Sequence, residues 1–166
     1  MLYKKNGKNL WADAIAKERK DVSPALKKLE SGDIVSIRYQ QVNCHIIFDV
    51  KMKDFRHKAR LATGGHVTEP PDTITYAGVV SREIVRIAIT LPALNDLPVK
   101  LADINNDYIT TPVIEKIWTV LGQEFDGGAG RISIVVRALY GLKSARADFR
   151  NHLADCMHHL GFLPCY

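Results

Sequence analysis

An acidic residue followed by an aromatic residue five positions later marks the stretch from Leu101 to Tyr108. The mostly apolar run 98–102 leads directly to the carboxylate of Asp103. A carboxylate at the end of a buried strand is costly unless it is paired or holds a metal ion. We therefore predict a strand over 98–104 that presents Asp103 as a candidate metal ligand. The alternative is a solvated carboxylate in a polar turn.

Basic residues are concentrated in the first third of the chain. Residues 1–60 hold 14 Lys and Arg against 7 Asp and Glu, whereas residues 61–166 hold 9 against 11. A basic region beside an acidic one suits a protein that grips phosphates in one place and binds metal or performs acid chemistry in another. The alternative is a solvated basic surface without a ligand.

The composition is that of a soluble globular protein, and the length indicates one domain or a domain fragment. The chain has 166 residues, of which 46% are hydrophobic and 25% charged, and no run approaches the roughly 20 apolar residues of a membrane span. Its first residues lack the apolar segment of a signal peptide. Cys44, Cys156 and Cys165 lack metal-type spacing, which fits a reducing compartment. We therefore expect an intracellular protein of cytoplasm or nucleus that is not secreted.

Two short helices and a basic hairpin are expected in the first half of the chain. Helices are predicted from Asn9 to about Lys20 and from Ser23 to just before Gly32. Strands are predicted at 34–39 and 44–52, followed by a basic turn and a return strand. Because side chains alternate along a strand, Lys58 and Arg60 should share one face.

In the second half, the pattern predicts a helix, the strand before Asp103, a hairpin and a final helix. The first helix begins at Ser81 and ends near Pro92. The hairpin consists of strands over 116–121 and 131–139 joined by a turn at 126–130, and the last helix runs from Ser144 to Gly161.

In this order, the segments resemble the reverse transcriptase of copia-type LTR retrotransposons over nearly the whole chain. The most specific pieces are Lys58-Ala59-Arg60-Leu61 and Ala138-Leu139-Tyr140-Gly141-Leu142-Lys143, on either side of the Asp-x4-Tyr stretch. Further matching pieces are Leu10-Trp11-Ala12-Asp13-Ala14-Ile15 with Lys17-Glu18, Ile47-Phe48-Asp49-Val50-Lys51, Tyr76-Ala77-Gly78-Val79-Val80-Ser81-Arg82 and Leu160-Gly161-Phe162.

The resemblance implies an α+β fold, the fingers and partial palm of a right-hand polymerase, truncated before the Tyr-x-Asp-Asp hairpin. A single partial reverse transcriptase domain would span 1–166. The fingers would cover about 1–92 and 111–143, and the start of the palm about 93–110 and 144–166.

The resemblance implies a site for a metal ion and for the sugar of a nucleotide at residues 101–108. Asp103 would be the catalytic carboxylate and, with the carbonyl of Ile104, a ligand of Mg²⁺. Tyr108 would sit under the sugar and exclude a 2′-hydroxyl; without the motif it would be an ordinary core aromatic. Asp107 departs from the family pattern and adds a carboxylate where a triphosphate should pass.

Nucleotide binding is implied for two further groups of residues. Lys51, Lys58 and Arg60 would belong to a hairpin that closes on the triphosphate, and their alternative is a solvated cationic turn. Tyr140, Gly141 and Lys143 would line the nucleotide pocket; Gly141 is otherwise a strand-to-helix bend.

The implied activity is RNA-directed DNA polymerisation, a nucleotidyl transfer that serves retrotransposon DNA synthesis and integration. The partners would be an RNA or DNA template-primer, deoxynucleoside triphosphates and the remainder of a polyprotein. No Asp-Asp pair occurs in the chain, so we expect this fragment to be inactive alone. The alternatives are a non-catalytic nucleic-acid-binding module and a non-functional transposon relic.

Overall fold

The computed structural model describes residues 9–30, 32–72, 75–125 and 127–163 and has the expected mixed α+β fold. Asp126, Cys165 and the ends of the predicted domain, residues 1–8 and 164–166, lie outside the described residues. The elements are α1 (Leu10–Val22), β1 (Leu26–Lys28), β2 (Gln40–Gln41), β3 (Cys44–Lys51), β4 (Arg56–Thr63), α2 (Arg82–Leu94), β5 (Pro112–Val120), β6 (Ile132–Arg137) and α3 (Ala145–His159).

One four-stranded sheet supports the fold, with the strand order β1-β6-β5-β2. Strands β5 and β6 form the predicted antiparallel hairpin, β1 adds antiparallel to β6, and β2 runs parallel to β5. The core lies against this sheet. It includes Ile117 from β5, Val135 from β6 and Val22 from the end of α1, all nearly inaccessible to solvent.

Strands β3 and β4 form a separate two-stranded hairpin, in agreement with the basic hairpin expected from the sequence. An isolated two-stranded hairpin is marginal in water and needs something to pack against. Helix α1 provides this support: the ring of Trp11 meets Phe48 of β3 edge-to-face at 5.0 Å and His57 of β4 at 4.3 Å. At the other end of the hairpin, Leu61 is fully buried in the main core.

Two predictions for the first half were wrong. The second helix is a single 3₁₀ turn, Ser23–Ala25, after which the chain becomes strand β1. Pairing with β6 satisfies the backbone of Lys27 and Lys28, and this tertiary contact outweighs local helix propensity. The strand predicted at 34–39 is also absent; Ile37 is fully exposed, and only Gln40–Gln41 pairs with the sheet.

The strand predicted over 98–104 was likewise wrong, since this stretch is an irregular segment. A strand requires a neighbour for its backbone groups, and no described strand pairs with these residues. Leu101 is fully exposed. Helix α2, which precedes the segment, begins at the predicted cap Ser81, whose hydroxyl accepts the N–H of Ile84 at 3.2 Å. None of the described residues of α2 is buried.

Candidate functional site

The β3–β4 hairpin and the 103–107 segment face each other across a cleft of about 430 Å³, here called the hairpin cleft. Lys58 and Arg60 lie on the same side of β4, as their alternation predicts. Helix α1 and Tyr140 complete the cleft. Its lining residues are Ala14, Lys17, Glu18, Asp21, Lys51, Arg56, His57, Lys58, Ala59, Arg60, Asp103, Ile104, Asn105, Asn106, Asp107 and Tyr140.

Six of the nine residues singled out from the sequence therefore meet in one place, although they come from three separate segments. They are Lys51, Lys58, Arg60, Asp103, Ile104 and Tyr140. The other three, Tyr108, Gly141 and Lys143, line an adjoining cleft of about 390 Å³, which we call the tyrosine cleft. Tyr140 borders both clefts and thus forms the wall between them.

Lys58 is the most perturbed cation of the hairpin cleft. Partial burial lowers the pKa of Lys58 below its ordinary value, and the positive charges of Arg60 and Lys51 lower it further. Because like charges so close to one another are unfavourable, an anion with several oxygens would relieve the repulsion. The clustered positive charge of the hairpin is therefore suited to binding phosphate groups.

The guanidinium of Arg60 lies over the ring of Tyr140, and its Nε makes no hydrogen bond to the described residues. Its Nε is buried and has no hydrogen-bond partner among the described residues. Its guanidinium carbon lies 4.9 Å from the centroid of the Tyr140 ring, a cation–π arrangement. A buried donor without a partner is unusual in native structures.

Tyr140 links this cation to the acidic segment. Its hydroxyl donates to Oδ1 of Asp107 at 3.3 Å. Burial raises the pKa of Tyr140, and the negative charge of Asp107 raises it further. Asp107 therefore acts as a hydrogen-bond acceptor for the wall between the two clefts, a role that the sequence did not predict.

Tyr108 packs inside an aromatic group in the 3₁₀ turn Asp107–Thr110. Its ring meets Tyr140 edge-to-face at 4.8 Å and Phe149 of α3 at 6.0 Å. The ring is half-buried and still borders the tyrosine cleft. It is thus a packed aromatic with one side open to a ligand.

Gly141 allows the chain to pass closely over the end of β4. Its φ of 92° lies in the left-handed region, and a Cβ at this position would overlap the main-chain oxygen of Thr63. The neighbouring carbonyl of Tyr140 accepts the N–H and the hydroxyl of Thr63 at 2.7 and 3.0 Å. These bonds fix the wall between the clefts to the hairpin.

The ammonium of Lys143 donates to the main-chain oxygen of Thr68, which lies beyond β4. Helix α3 starts immediately afterwards, at a buried polar group. There the hydroxyl of Ser144 donates to Oδ2 of Asp148 at 2.6 Å, and the N–H of Ser144 donates to Oε1 of Glu115 at 2.8 Å. The 140–144 segment is therefore tied down at both ends.

Glu18 is a site residue to which the sequence assigned no role. Its Oε1 accepts the N–H of Leu61 at 2.7 Å, so α1 is bonded directly to the return strand. Burial raises the pKa of Glu18, while this hydrogen bond and the charges of Lys58 and Arg60 oppose the increase. The available signal was helical spacing, because Ala14, Glu18 and Asp21 share one face of α1.

Asp103 is exposed at the edge of the hairpin cleft, with Ile104 beside it. Within the described residues, no three His, Cys, Asp or Glu side chains are grouped so that they could hold a metal ion. On α3, Nε2 of His152 lies 3.9 Å from Sγ of Cys156, but these two side chains are not part of a group of three possible metal ligands among the described residues. The oxygen donors at Asp103 are of the hard type that Mg²⁺ prefers.

A cationic hairpin that faces a carboxylate-bearing segment across a cleft is an arrangement whose charges are suited to a phosphate-containing ligand. A family model described as reverse transcriptase (RNA-dependent DNA polymerase) matches residues 34–165. Because the match covers most of the chain, the protein belongs to this family. No curated protein and no solved structure matches the chain. Among the described helices, none combines the length and apolar character needed to cross a membrane.

Proposed function

We propose that the chain forms the fingers and the start of the palm of a copia-type retrotransposon reverse transcriptase, with the domain limits given above. The observation that carries this proposal is the convergence at the hairpin cleft. Cations of β4, the segment with Asp103, and Tyr140 are far apart in sequence but line the same space. This convergence supports a nucleotide site of the kind used in templated addition of a deoxynucleotide.

Asp103 is proposed as the catalytic carboxylate and, together with the carbonyl of Ile104, as a ligand of Mg²⁺. Mg²⁺ is usually held by one or two carboxylates plus substrate phosphates, so this donor set fits a single shared ion. When bound, the ion would acidify the primer 3′-hydroxyl and neutralise phosphate charge. Since no three His, Cys, Asp or Glu side chains of the described residues are grouped closely enough to hold a metal ion, a second ion would need further ligands.

The side chains of the two clefts would hold and orient the nucleotide. Lys51, Lys58 and Arg60 would bind the triphosphate oxygens. The lowered pKa of Lys58, due to burial and to the positive charges of Arg60 and Lys51, supports this assignment. Tyr108 would contact the sugar from the tyrosine cleft. The other proposed nucleotide-binding residues are Ile104, Tyr140, Gly141 and Lys143.

By itself, the 166-residue chain is proposed not to polymerise. Among the described residues, Asp103 is not part of a group of three possible metal ligands, as a two-ion mechanism would need. The apolar side chains of helix α2 are largely exposed, as expected of an element that lacks a packing partner. The remainder of a polyprotein would supply both. Primer extension with Mg²⁺ or Mn²⁺ tests this point, and template-dependent synthesis by the isolated chain would contradict it.

A direct binding assay tests the nucleotide site itself. The protein should bind a deoxynucleoside triphosphate with Mg²⁺, and replacement of Lys58 and Arg60 by Gln should weaken binding at least about tenfold. A matched pair, Lys27→Gln with Lys116→Gln, removes the same charge outside the clefts and should leave affinity unchanged. Equal losses in both pairs would contradict the assigned site.

A second candidate function, from a different class, is a non-catalytic nucleic-acid-binding module. It is favoured by the concentration of positive charge in residues 1–60 and by the exposed setting of Asp103. Such a module would bind nucleic acid in a salt-dependent manner. It would be indifferent to Asp103→Asn, whereas that substitution should weaken Mg²⁺-dependent nucleotide binding in a polymerase site.

A further inference from the structure

Three half-buried side chains form a series of contacts across the wall between the two clefts. The guanidinium carbon of Arg60 lies 4.9 Å from the centroid of the Tyr140 ring, and the hydroxyl of Tyr140 donates to Oδ1 of Asp107 at 3.3 Å. Burial raises the pKa of Tyr140, the charge of Asp107 raises it further, and the charge of Arg60 lowers it. The phenol therefore stays protonated at neutral pH and can donate.

The main chain on either side of this hydroxyl–carboxylate bond is fixed. The carbonyl of Tyr140 is bonded to the end of β4. In the turn that carries Asp107, the carbonyl of this residue accepts the hydroxyl of Thr110 at 2.6 Å. The N–H of Ala138 donates to the carbonyl of Thr111 at 2.9 Å, which joins the turn to the end of β6. Because both backbones are held, the contact with Asp107 is left to set the direction of the hydroxyl and the tilt of the ring.

Arg60 depends on that ring for its place in the hairpin cleft. The described residues give its guanidinium no ion pair and its Nε no hydrogen bond. The positive charge of Lys58, on the same side of β4, repels it. The attraction between the guanidinium and the face of the Tyr140 ring is therefore the contact that keeps Arg60 at the wall.

We propose that Asp107 is a positioning residue of the nucleotide site: by accepting the hydroxyl of Tyr140, it holds that ring against Arg60 and so keeps the guanidinium in the hairpin cleft. This inference rests on the proposed function, since it concerns the same cleft. It gives a reason for a carboxylate where its charge opposes an incoming triphosphate, because the acceptor is useful although the charge is not. An amide at this position would keep the acceptor without the repulsion.

The first measurement follows Arg60 in the protein without nucleotide. Its Nε is buried, so the attached proton should exchange slowly enough to be seen in proton–nitrogen NMR spectra, where Arg60→Lys assigns the resonance and the Tyr140 ring shifts it. Asp107→Ala should move the resonance toward those of exposed arginines, whereas Asp107→Asn should keep it in place. Asp155→Ala is the control, because it removes an exposed carboxylate of α3 that lines neither cleft.

The second measurement is the affinity for deoxyadenosine triphosphate with Mg²⁺, by isothermal titration calorimetry. Asp107→Asn should strengthen binding about two- to fivefold, because it removes a negative charge from the cleft and keeps the acceptor. Asp107→Ala should bind about fivefold more weakly than Asp107→Asn, since it lacks the acceptor. In the background of Tyr140→Phe, which has no hydroxyl to hold, the two Asp107 variants should bind equally.

Agreement of the two measurements supports the proposal. A resonance of Arg60 that stays in place in Asp107→Ala would overturn it. Equal affinities of Asp107→Ala and Asp107→Asn with Tyr140 intact would also overturn it, since Asp107 would then act by charge alone. If the unmodified protein does not bind the triphosphate, the proposed function fails, and the resonance of Arg60 still decides whether Asp107 positions the ring.

Discussion

Glu18 belongs to α1, but its carboxylate serves strand β4 by accepting the N–H of Leu61. Burial raises the pKa of Glu18 above its ordinary value of 4.5. The folded protein therefore binds this proton more tightly than the unfolded chain does. The contribution of Glu18 to stability is complete below pH 4.5 and is lost as the pH rises through the raised folded value.

Two substitutions separate the charge of Glu18 from its hydrogen bond. Glu18→Gln retains an oxygen acceptor for Leu61 and should remove the decline in stability that begins near pH 4.5. Glu18→Ala leaves a buried N–H without a partner and should cost about 1–3 kcal/mol below pH 4.5 and less at higher pH, where the ionised carboxylate of the unmodified protein is itself less favourable. Urea unfolding at a series of pH values measures both effects. A decline that persists in Glu18→Gln would assign it to other groups.

Gly141 is restricted both by its backbone conformation and by the close approach of Thr63. Gly161 provides a matched comparison, since its φ of 86° is similar to the 92° of Gly141 but no atom lies within 4 Å of its added Cβ. Gly161→Ala should cost about 1–2 kcal/mol from backbone strain alone. Gly141→Ala should cost about 3 kcal/mol or more, because the main chain must also move. Equal losses in unfolding free energy would show that the contact relaxes freely.

The residues of the site were predictable only as far as their chemistry was local. The alternation of Lys58 and Arg60 fixed their shared face, and the resemblance pointed to Asp103 and Tyr140. The acceptor roles of Glu18 and Asp107 were not predictable, because each depends on a partner distant in sequence: Leu61 is 43 residues from Glu18, and Tyr140 is 33 residues from Asp107.

At the scale of elements, predictions that rested on local signals were confirmed, whereas those that depended on a distant strand partner were wrong. Hairpin β5–β6 and helix α3 have strong local signals, and both were found. The stretch 98–104 has strand-like residues but no strand beside it, so its backbone does not adopt that form. Lys27 and Lys28 have helical propensity, yet they join a sheet edge because β6 lies alongside.

Helix α2 presents apolar side chains without a described core to receive them. Ile87 and Leu91 are 63% and 59% exposed, so their replacement removes few contacts. Ile87→Glu with Leu91→Glu should change the free energy of unfolding by no more than about 0.5 kcal/mol and reduce self-association. Ile117→Ala, in the core, should cost about 2–5 kcal/mol.

Thermal melts and light scattering of the same samples provide the measurement for α2. A large loss of stability in the double variant would mean that α2 is packed against other parts of the chain. Undiminished scattering would mean that a different surface drives association.

For the whole molecule, the hairpin and the sheet should unfold together although they are separate sheets. Leu61 of β4 shares the core with Ile117 and Val135, and main-chain bonds join Thr63 to Tyr140. These links make separate unfolding unfavourable. They also give a reason to expect a cooperative module rather than the poorly folded relic that an incomplete palm could produce.

The two tryptophans report separately on the β3–β4 hairpin and on the four-stranded sheet. Trp11 lies against the hairpin, and Trp118 lies in β5. In Trp118→Phe the fluorescence follows the hairpin alone, and in Trp11→Phe it follows the sheet alone. Within each variant, the fluorescence midpoint in urea should coincide with the midpoint by circular dichroism. Earlier loss of the Trp11 signal would show that the hairpin opens independently, and a broad transition without a shared midpoint would favour the relic.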